Sequence, residues 1–397
     1  MGSLKVLTGN YAAAEAAARC RIDLISAYPI TPQSSVVEYL AEKVHNGEID
    51  SEMVQVESEH SAMSVVQGAA AAGGRVFTAT SAQGLALMYE PYFRMSTLRL
   101  PMVMAIATRE MTSPETIWSG QQDAISVREA GWIQMFCDDN QEIVDMIIQG
   151  YMIAEHPEVC LPVNVCYDGF YSSHLTSGVV IPDQEEVDDV LPAHGIYHQA
   201  ILDPRHPLAL DPMTPGELLM HYRKSHLNAM ERAKQVIDEV DGKFASVFGR
   251  SYGGMIEEYL CEDAEVVIVT MGGMTGAGKD AVDIVRAQGV KAGLVRIRFY
   301  RPFPSERIAQ VLRGKKAFTV VDRSVSFGWG KGSMYVETLS AISSLGEKQA
   351  SFSTIGGLGG ADISVKDLTD TLMYLDSVKG FPGEKETRWL MKEQEGA

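Results

Sequence analysis

Residues 56–63, VESEHSAM, decide how the first half of the chain reads. Just before them MVQV (53–56) is short, apolar and partly β-branched, which describes a strand. From Ser61 onward MSVVQGAAAAGG is rich in Ala and Val, which describes a helix. Glu57 and Glu59 therefore stand where the carboxyl end of a strand meets a helix start. Only one histidine, His60, is near, and no Cys-rich metal motif.

Working outward, strands and helices alternate from residue 10 to 167. YAAAEAAARC reads as helix, DLISAY (23–28) as strand, and SSVVEYLAEKVH as an amphipathic helix with Val36, Val37, Leu40 and Val44 on one stripe. RVFTATS (75–81) is a strand followed by one helix, GLALMYEPYFRM. MVMAIAT (102–108), IQMF and LPVNVCYD are further strands, with QEIVDMIIQGYMIAE a helix between the last two. Continuous apolar strands alternating with helices describe a parallel sheet covered on both faces. Such sheets bind ligands at the carboxyl ends of their strands. The conspicuous residues lie at those ends: Tyr28 and Pro29, Glu57 and Glu59, the stretch 81–84, and Arg109.

Residues 175–215, rich in Pro and Asp, read as an extended connector over a surface. A long packing helix is expected over 215–244. A second, smaller parallel sheet begins near Ala264, with EVVIVTM, AGLVRIRFY and AFTVVDRS as strands. Its helices include KDAVDIVRAQG, closed by Gly289, and SERIAQVLRG, with Ser305 as N-cap. At 397 residues two or three domains are expected; the boundaries read as 1–240, including connector and long helix, and 260–385.

Composition narrows the function. The chain is 46% hydrophobic and 22% charged, an ordinary globular profile, with a net charge of −18 that argues against nucleic acid and anionic membranes as partners. None of the five cysteines forms a CxxC pair, so neither a disulfide framework nor an iron–sulfur site is expected within the chain. No apolar signal core and no run of about 20 apolar residues is present, so a cytoplasmic setting is expected.

Several motifs invite chemistry. GMTGAGKD (273–280) nearly matches a phosphate-binding loop, but Asp280 stands where Ser or Thr would ligate magnesium. A glycine turn feeding a helix whose positive end Asp280 caps is the preferred reading. GGLGG (356–360) reads as a tight turn close to another backbone. The prolines of YPITP (28–32) stiffen a strand-end loop and delay the next helix. TATSAQGLALM (78–88) ends a strand in hydroxyls and starts a helix at a glycine, Gly84, suited to an anion or a polar ring, or to plain capping. Arg109, at the mouth of an apolar strand, is poised to grip a carboxylate, or to pair with Glu110 or Glu115. The polar loop after it, EMTSPETIWSGQQD, has the length of a lid.

Taken together, YPITP, VESEHSAM, TATSAQGLALM, DGFYSSH (168–174), FGRSYGGMIEEY (248–259), RPFP (301–304), DRSVSFGWG (322–330) and GGLGGADI (356–363) resemble the alpha subunit of the 2-oxoacid:ferredoxin oxidoreductases, over about residues 7–365. The resemblance implies an α/β architecture: a pyrimidine-binding thiamine-diphosphate domain followed by a domain like the C-terminal one of transketolase. It implies CoA-dependent oxidative decarboxylation of a 2-oxo acid, pyruvate foremost, with electrons passed to ferredoxin. Aromatic acids such as phenylglyoxylate, branched-chain acids, 2-oxoglutarate and oxalate stay open, as does a non-catalytic scaffold. Glu59 matches the family glutamate that contacts the aminopyrimidine; Tyr28, Pro29, Ser81, Gln83 and Gly84 would surround the ring. Arg109 and Thr31 match positions that hold a substrate carboxylate, with Tyr28 lining the same pocket. The segment 110–120 departs from pyruvate-type patterns. The family's Gly-Asp-Gly and later Asn, which hold pyrophosphate and Mg2+, have no counterpart here: there is no Gly-Asp dipeptide and the last Asn is Asn228. A beta subunit would carry that half and a 4Fe-4S cluster, with gamma and delta subunits completing the path.

Overall fold

A computed structural model describes residues 2–191 and 201–392. Two seven-stranded sheets dominate it. The first runs, edge to edge, Phe299–Arg301, Ile133–Phe136, Val163–Asp168, Val103–Thr108, Val76–Thr80, Leu24–Ala27 and Glu52–Gln55. All its neighbours are parallel except Phe299–Arg301, which is antiparallel to Ile133–Phe136. Its four strands Val76–Thr80, Val103–Thr108, Ile133–Phe136 and Val163–Asp168 are buried along their whole length, as uninterrupted apolar runs require. The second sheet runs Gly383–Glu384, Ala350–Ile355, Ala317–Asp322, Val266–Thr270, Ala292–Ile297 and Ile256–Tyr259, with Arg388–Trp389 also on Ala350–Ile355. Only Ile256–Tyr259, an edge strand not foreseen in the sequence, is antiparallel.

Four expectations need correction. AGLVRIRFY is not one strand: Ala292–Ile297 belongs to the second sheet and Phe299–Arg301 to the first. The break falls at Arg298, whose Nε–H donates to Glu142 Oε1 at 2.9 Å, while Arg296 pairs with the same carboxylate. Glu142 lies in the buried helix Asn140–Ala154, so this charge cluster welds the two sheets. GLALMYEPYFRM is two helices, Ala82–Leu87 and Tyr89–Thr97. Pro91 has no N–H for the Leu87 carbonyl and its ring crowds that oxygen, which breaks the ladder there.

The connector 175–215 is only partly extended. Thr176–Ile181 pairs antiparallel with Ser3–Thr8, and Gln184–Val190 is a helix opened by the Asp183–Glu186 capping box; residues 192–200 lie outside the described part. Ser305 is the first residue of the helix Ser305–Leu312 rather than its cap, and its hydroxyl bonds Glu306.

The long helix, Gly216–Phe248, ends at left-handed Gly249. It buries Ala229, Ala233, Val236, Ile237, Val240 and Phe244, the stripe of a packing helix. All five cysteines are buried. Among the described residues no helix is long and apolar enough to cross a membrane.

Candidate active site

In the first sheet, the strand order places the ends of Val103–Thr108, Val76–Thr80, Leu24–Ala27 and Glu52–Gln55 side by side. Arg109, Ser81, Tyr28 and Glu57 therefore emerge along one rim.

The helix after the last of these strands begins at Glu59, two residues before the composition suggests. Ser58 is extended and caps it, its Oγ accepting the Ser61 N–H at 3.2 Å. This divides the two glutamates. Glu57 is exposed and accepts from the Ser61 hydroxyl at 2.7 Å, a hydrogen bond that holds its carboxyl below the usual range. Glu59, in the first turn, is 6% exposed and lies over Gly84. A methyl group at position 84 would stand 2.7 Å from Glu59 Oε1 and 2.5 Å from Thr80 Oγ1, so any side chain there displaces its neighbours. The Thr80 hydroxyl and Gln83 Oε1 are buried with no hydrogen-bond partner among the described residues. A buried acid and two unpartnered polar atoms are what a flat, polar heterocycle needs at its edge. The residues present thus fit the aminopyrimidine of thiamine diphosphate.

Arg109 is 4% exposed, and its guanidinium is partly engaged. Nη1–H donates to the Thr31 carbonyl at 2.8 Å and Nε–H to the Thr116 carbonyl at 3.1 Å. Nη2 pairs with Glu115 at 3.3 Å, and Glu110 takes no part. Tyr28, Pro29 and Thr31 are exposed on the rim, and Gln33 donates to the Tyr28 carbonyl at 3.2 Å.

Other groups at the site were not anticipated. Glu110 tucks its carboxyl into the space opposite Gly120; burial first, then the charge of Asp123, pushes it up to about 7. Asp123 is fully buried, and burial raises it to about 7 against the backbone N–H groups it accepts from. Its sequence neighbourhood, a polar loop, carries no signal for this. Asp168 and Arg323 sit inside motifs singled out above but far apart in the chain; they form a buried ion pair at 2.8 Å. Arg323 also donates to Ser119 Oγ at 2.8 Å, so the second sheet reaches the loop after Arg109. The GGLGG turn approaches that loop as expected: Gly360 N–H donates to the Ser119 carbonyl at 2.6 Å, and Tyr171 OH to the Gly360 carbonyl at 2.8 Å.

The near-match to a phosphate loop resolves differently from the reading above. Its helix, Thr275–Ala287, starts too early for Asp280 to cap it. Instead Asp168 Oδ2 accepts the Gly273 N–H at 3.0 Å, putting a protein carboxylate where a phosphate would sit. Lys279 is paired with Glu257 at 2.5 Å. Among the described residues no group of three or more His, Cys, Asp or Glu could hold a metal ion.

Comparison with known proteins adds independent findings. A family model described as pyruvate flavodoxin/ferredoxin oxidoreductase, thiamine diphosphate-binding, matches residues 15–242. A second, pyruvate:ferredoxin oxidoreductase core domain II, matches residues 264–368. The chain is 48% identical over 363 residues to the NADH-dependent phenylglyoxylate dehydrogenase subunit alpha of Aromatoleum evansii, covering 90% of this chain and 87% of that one. It is 44% identical over 393 residues to the pyruvate synthase subunit PorA of Methanocaldococcus jannaschii, covering 98% of each. Among solved structures, the 2-oxoglutarate:ferredoxin oxidoreductase from Magnetococcus marinus with 2-oxoglutarate, coenzyme A and succinyl-CoA bound superimposes with a TM-score of 0.70 at 20% identity. That match covers 94% of this chain and 66% of the other, and is a likeness of fold.

Proposed function

The chain belongs, as an alpha subunit, to the 2-oxoacid:ferredoxin oxidoreductases, and from that premise we propose that it forms the pyrimidine-facing half of a thiamine-diphosphate site. The reaction is CoA-dependent oxidative decarboxylation of a 2-oxo acid, pyruvate foremost, to acyl-CoA and carbon dioxide. When bound, thiamine diphosphate supplies the electron sink that lets carbon dioxide leave.

Glu59 holds a proton at a ring nitrogen and can return it, its burial keeping water out of that exchange. Thr80 Oγ1 and Gln83 Oε1 offer hydrogen bonds to the ring's polar edge, and Gly84 leaves the room the Glu59 and Thr80 side chains require to face it. Ser81 is committed to its neighbour strand, its Oγ donating to the Ala107 carbonyl at 2.8 Å, and shapes the turn rather than the contact. Tyr28 and Pro29 wall the rim. Arg109 grips the substrate carboxylate beside Thr31. Glu115, exposed and held at 3.3 Å, is the partner a substrate carboxylate would displace, since an ion pair of that kind is worth about 0–1 kcal/mol. Mg2+, the pyrophosphate contacts and the 4Fe-4S clusters belong to the beta subunit and its gamma and delta companions; CoA and ferredoxin are co-substrate and acceptor.

The observation that carries this reading is the Glu59 carboxylate buried against bare Gly84 beside the unpartnered Thr80 hydroxyl. In the complex co-expressed with its partner chains, Glu59→Gln should abolish 2-oxo acid-dependent viologen reduction while assembly survives. Wild-type rates in that variant would overturn it. An aromatic 2-oxo acid is the second substrate reading, supported by the half-exposed Trp118 on the Arg109 loop and by the phenylglyoxylate relative. A panel of pyruvate, phenylglyoxylate, 2-oxoisovalerate and 2-oxoglutarate, ranked by kcat/KM, decides between them.

A further inference from the structure

One carboxylate ties together the two strand ends that carry the 81–84 turn and Arg109. Val76–Thr80 and Val103–Thr108 are neighbours in the sheet, and their pairing ends at Thr80 opposite Ile106. Beyond that point the fully buried Asp123 continues the clasp. Its Oδ2 accepts the Ala82 N–H at 2.9 Å and the Arg109 N–H at 3.0 Å, one oxygen for two donors. Oδ1 accepts the N–H of Ala124 at 2.7 Å.

Among the described residues no cationic side chain pairs with this carboxylate. The Arg109 guanidinium turns instead to Thr31, Thr116 and Glu115. A buried acid whose hydrogen bonds all come from backbone N–H groups acts by fixing where those groups stand.

What it fixes is costly to hold otherwise. Ala82 has φ +38°, a left-handed conformation that a residue with a Cβ avoids. That turn aims the chain so that Gly84, two residues on, lies against Glu59. The other arm sets the backbone from which the Arg109 side chain departs.

Asp123 is itself moored to the second sheet. It lies in the short helix Gln122–Ser126. There the Gln121 N–H donates to the Arg323 carbonyl at 2.9 Å, and the Val325 N–H to Gln122 Oε1 at 2.8 Å.

We propose that Asp123 is a positioning residue that sets the Glu59-facing turn and the Arg109 guanidinium at their working separation, and through which the second sheet's loops are coupled to both. The proposal rests on the roles given above to Glu59 and Arg109.

The test uses the assembled complex, with KM for the 2-oxo acid and kcat per bound thiamine diphosphate measured separately. Asp123→Asn keeps the shape but replaces one acceptor oxygen by a donor that faces a backbone N–H. It should raise KM and lower kcat per bound cofactor, each by roughly 10- to 100-fold, the weight of one or two misdirected buried hydrogen bonds. Ala82→Gly relieves the left-handed strain, so in that background the loss in kcat should shrink while the rise in KM, which runs through Arg109, persists. If the Asn variant does not assemble, Asp123→Ser, which keeps a single uncharged acceptor, is read on the same two parameters.

A variant that lowers only cofactor content, with KM and kcat per bound cofactor within about twofold of wild type, shows a merely structural residue and overturns the proposal. So does a loss in kcat that glycine at position 82 leaves unchanged. These results are separable from failure of the functional reading. Inactive Glu59→Gln with a kinetically normal Asp123→Asn sinks only this inference, whereas wild-type rates in Glu59→Gln remove its foundation.

Discussion

Gly84→Ala is the sharpest single perturbation of the site. Gly84 lies inside the helix Ala82–Leu87, so the backbone accepts alanine without strain. The added methyl would meet Thr80 Oγ1 at 2.5 Å, Glu59 Oε1 at 2.7 Å and Glu59 Cγ at 2.8 Å, where ordinary contact begins near 3.4 Å. Thr80 sits in a strand buried along its whole length and cannot retreat. Glu59, at a helix start with a flexible side chain, gives way by on the order of 0.5–1 Å. For stability the two effects oppose. Replacing a helical glycine gains about 1 kcal/mol, and overpacking costs about 1–3 kcal/mol, so the net loss is about 0–2 kcal/mol and the melting point moves by a few degrees. For function they do not cancel, since a misplacement of about 1 Å in a catalytic group costs roughly 100-fold. Activity should therefore fall about a hundredfold in a protein that still folds. The assay is 2-oxo acid-dependent viologen reduction by the assembled complex, per bound thiamine diphosphate, beside a thermal melt. A Gly84→Ala complex with full cofactor content and kcat within about twofold of wild type would refute the placement of Glu59.

Other substitutions probe the frame around it. Burial opposes the charge of Glu142, but the guanidinium groups of Arg296 and Arg298 outweigh it and hold the carboxyl below its usual range; Glu142→Gln leaves two buried cations short of a partner. A loss of about 3–5 kcal/mol is expected, on the order of 10 °C in a circular-dichroism melt at pH 7, and an unchanged melt would remove the weld between the sheets. Glu110, raised from 4.5 to about 7, keeps a proton in the native state that the unfolded chain releases. Ionising it therefore costs stability that begins to be lost near pH 4.5 and is fully lost above about pH 7. Glu110→Gln should melt higher than wild type at pH 8 and equally at pH 4.5; equal melts at both would count against the buried carboxyl. Because Lys279 is paired and Asp168 covers the Gly273 N–H, ATP at millimolar concentration should leave the melting temperature unchanged, and a clear upward shift would reopen a nucleotide role.

Much of this architecture is local and so was legible without coordinates. Val103–Thr108 and Val163–Asp168 are apolar from end to end because a central parallel strand is covered on both faces. The glycines of 356–360 announce a turn because left-handed backbone is cheap only for them: Gly357, Gly359 and Gly360 all have positive φ. Even the rim carrying Glu59 and Arg109 follows from where such strands end. Less local features misled. Pro91 splits a helix that composition runs together, and Arg298 ends a strand whose apolar pattern runs on. The near phosphate loop has the right letters, yet its amide is taken by an aspartate 105 residues away.

From sequence alone came most of the elements, their alternation, the rim and the eight motifs, all set by neighbours within a few residues, where side-chain period and backbone preference operate. Tertiary structure alone decided that Glu59 faces inward and Glu57 outward, that Gly84 is bare because two side chains need its space, and that one buried acid serves both Ala82 and Arg109. Those outcomes depend on which strand ends become neighbours once the sheet is assembled. Chains that share the same local periods can meet that requirement in many ways, and only packing selects one.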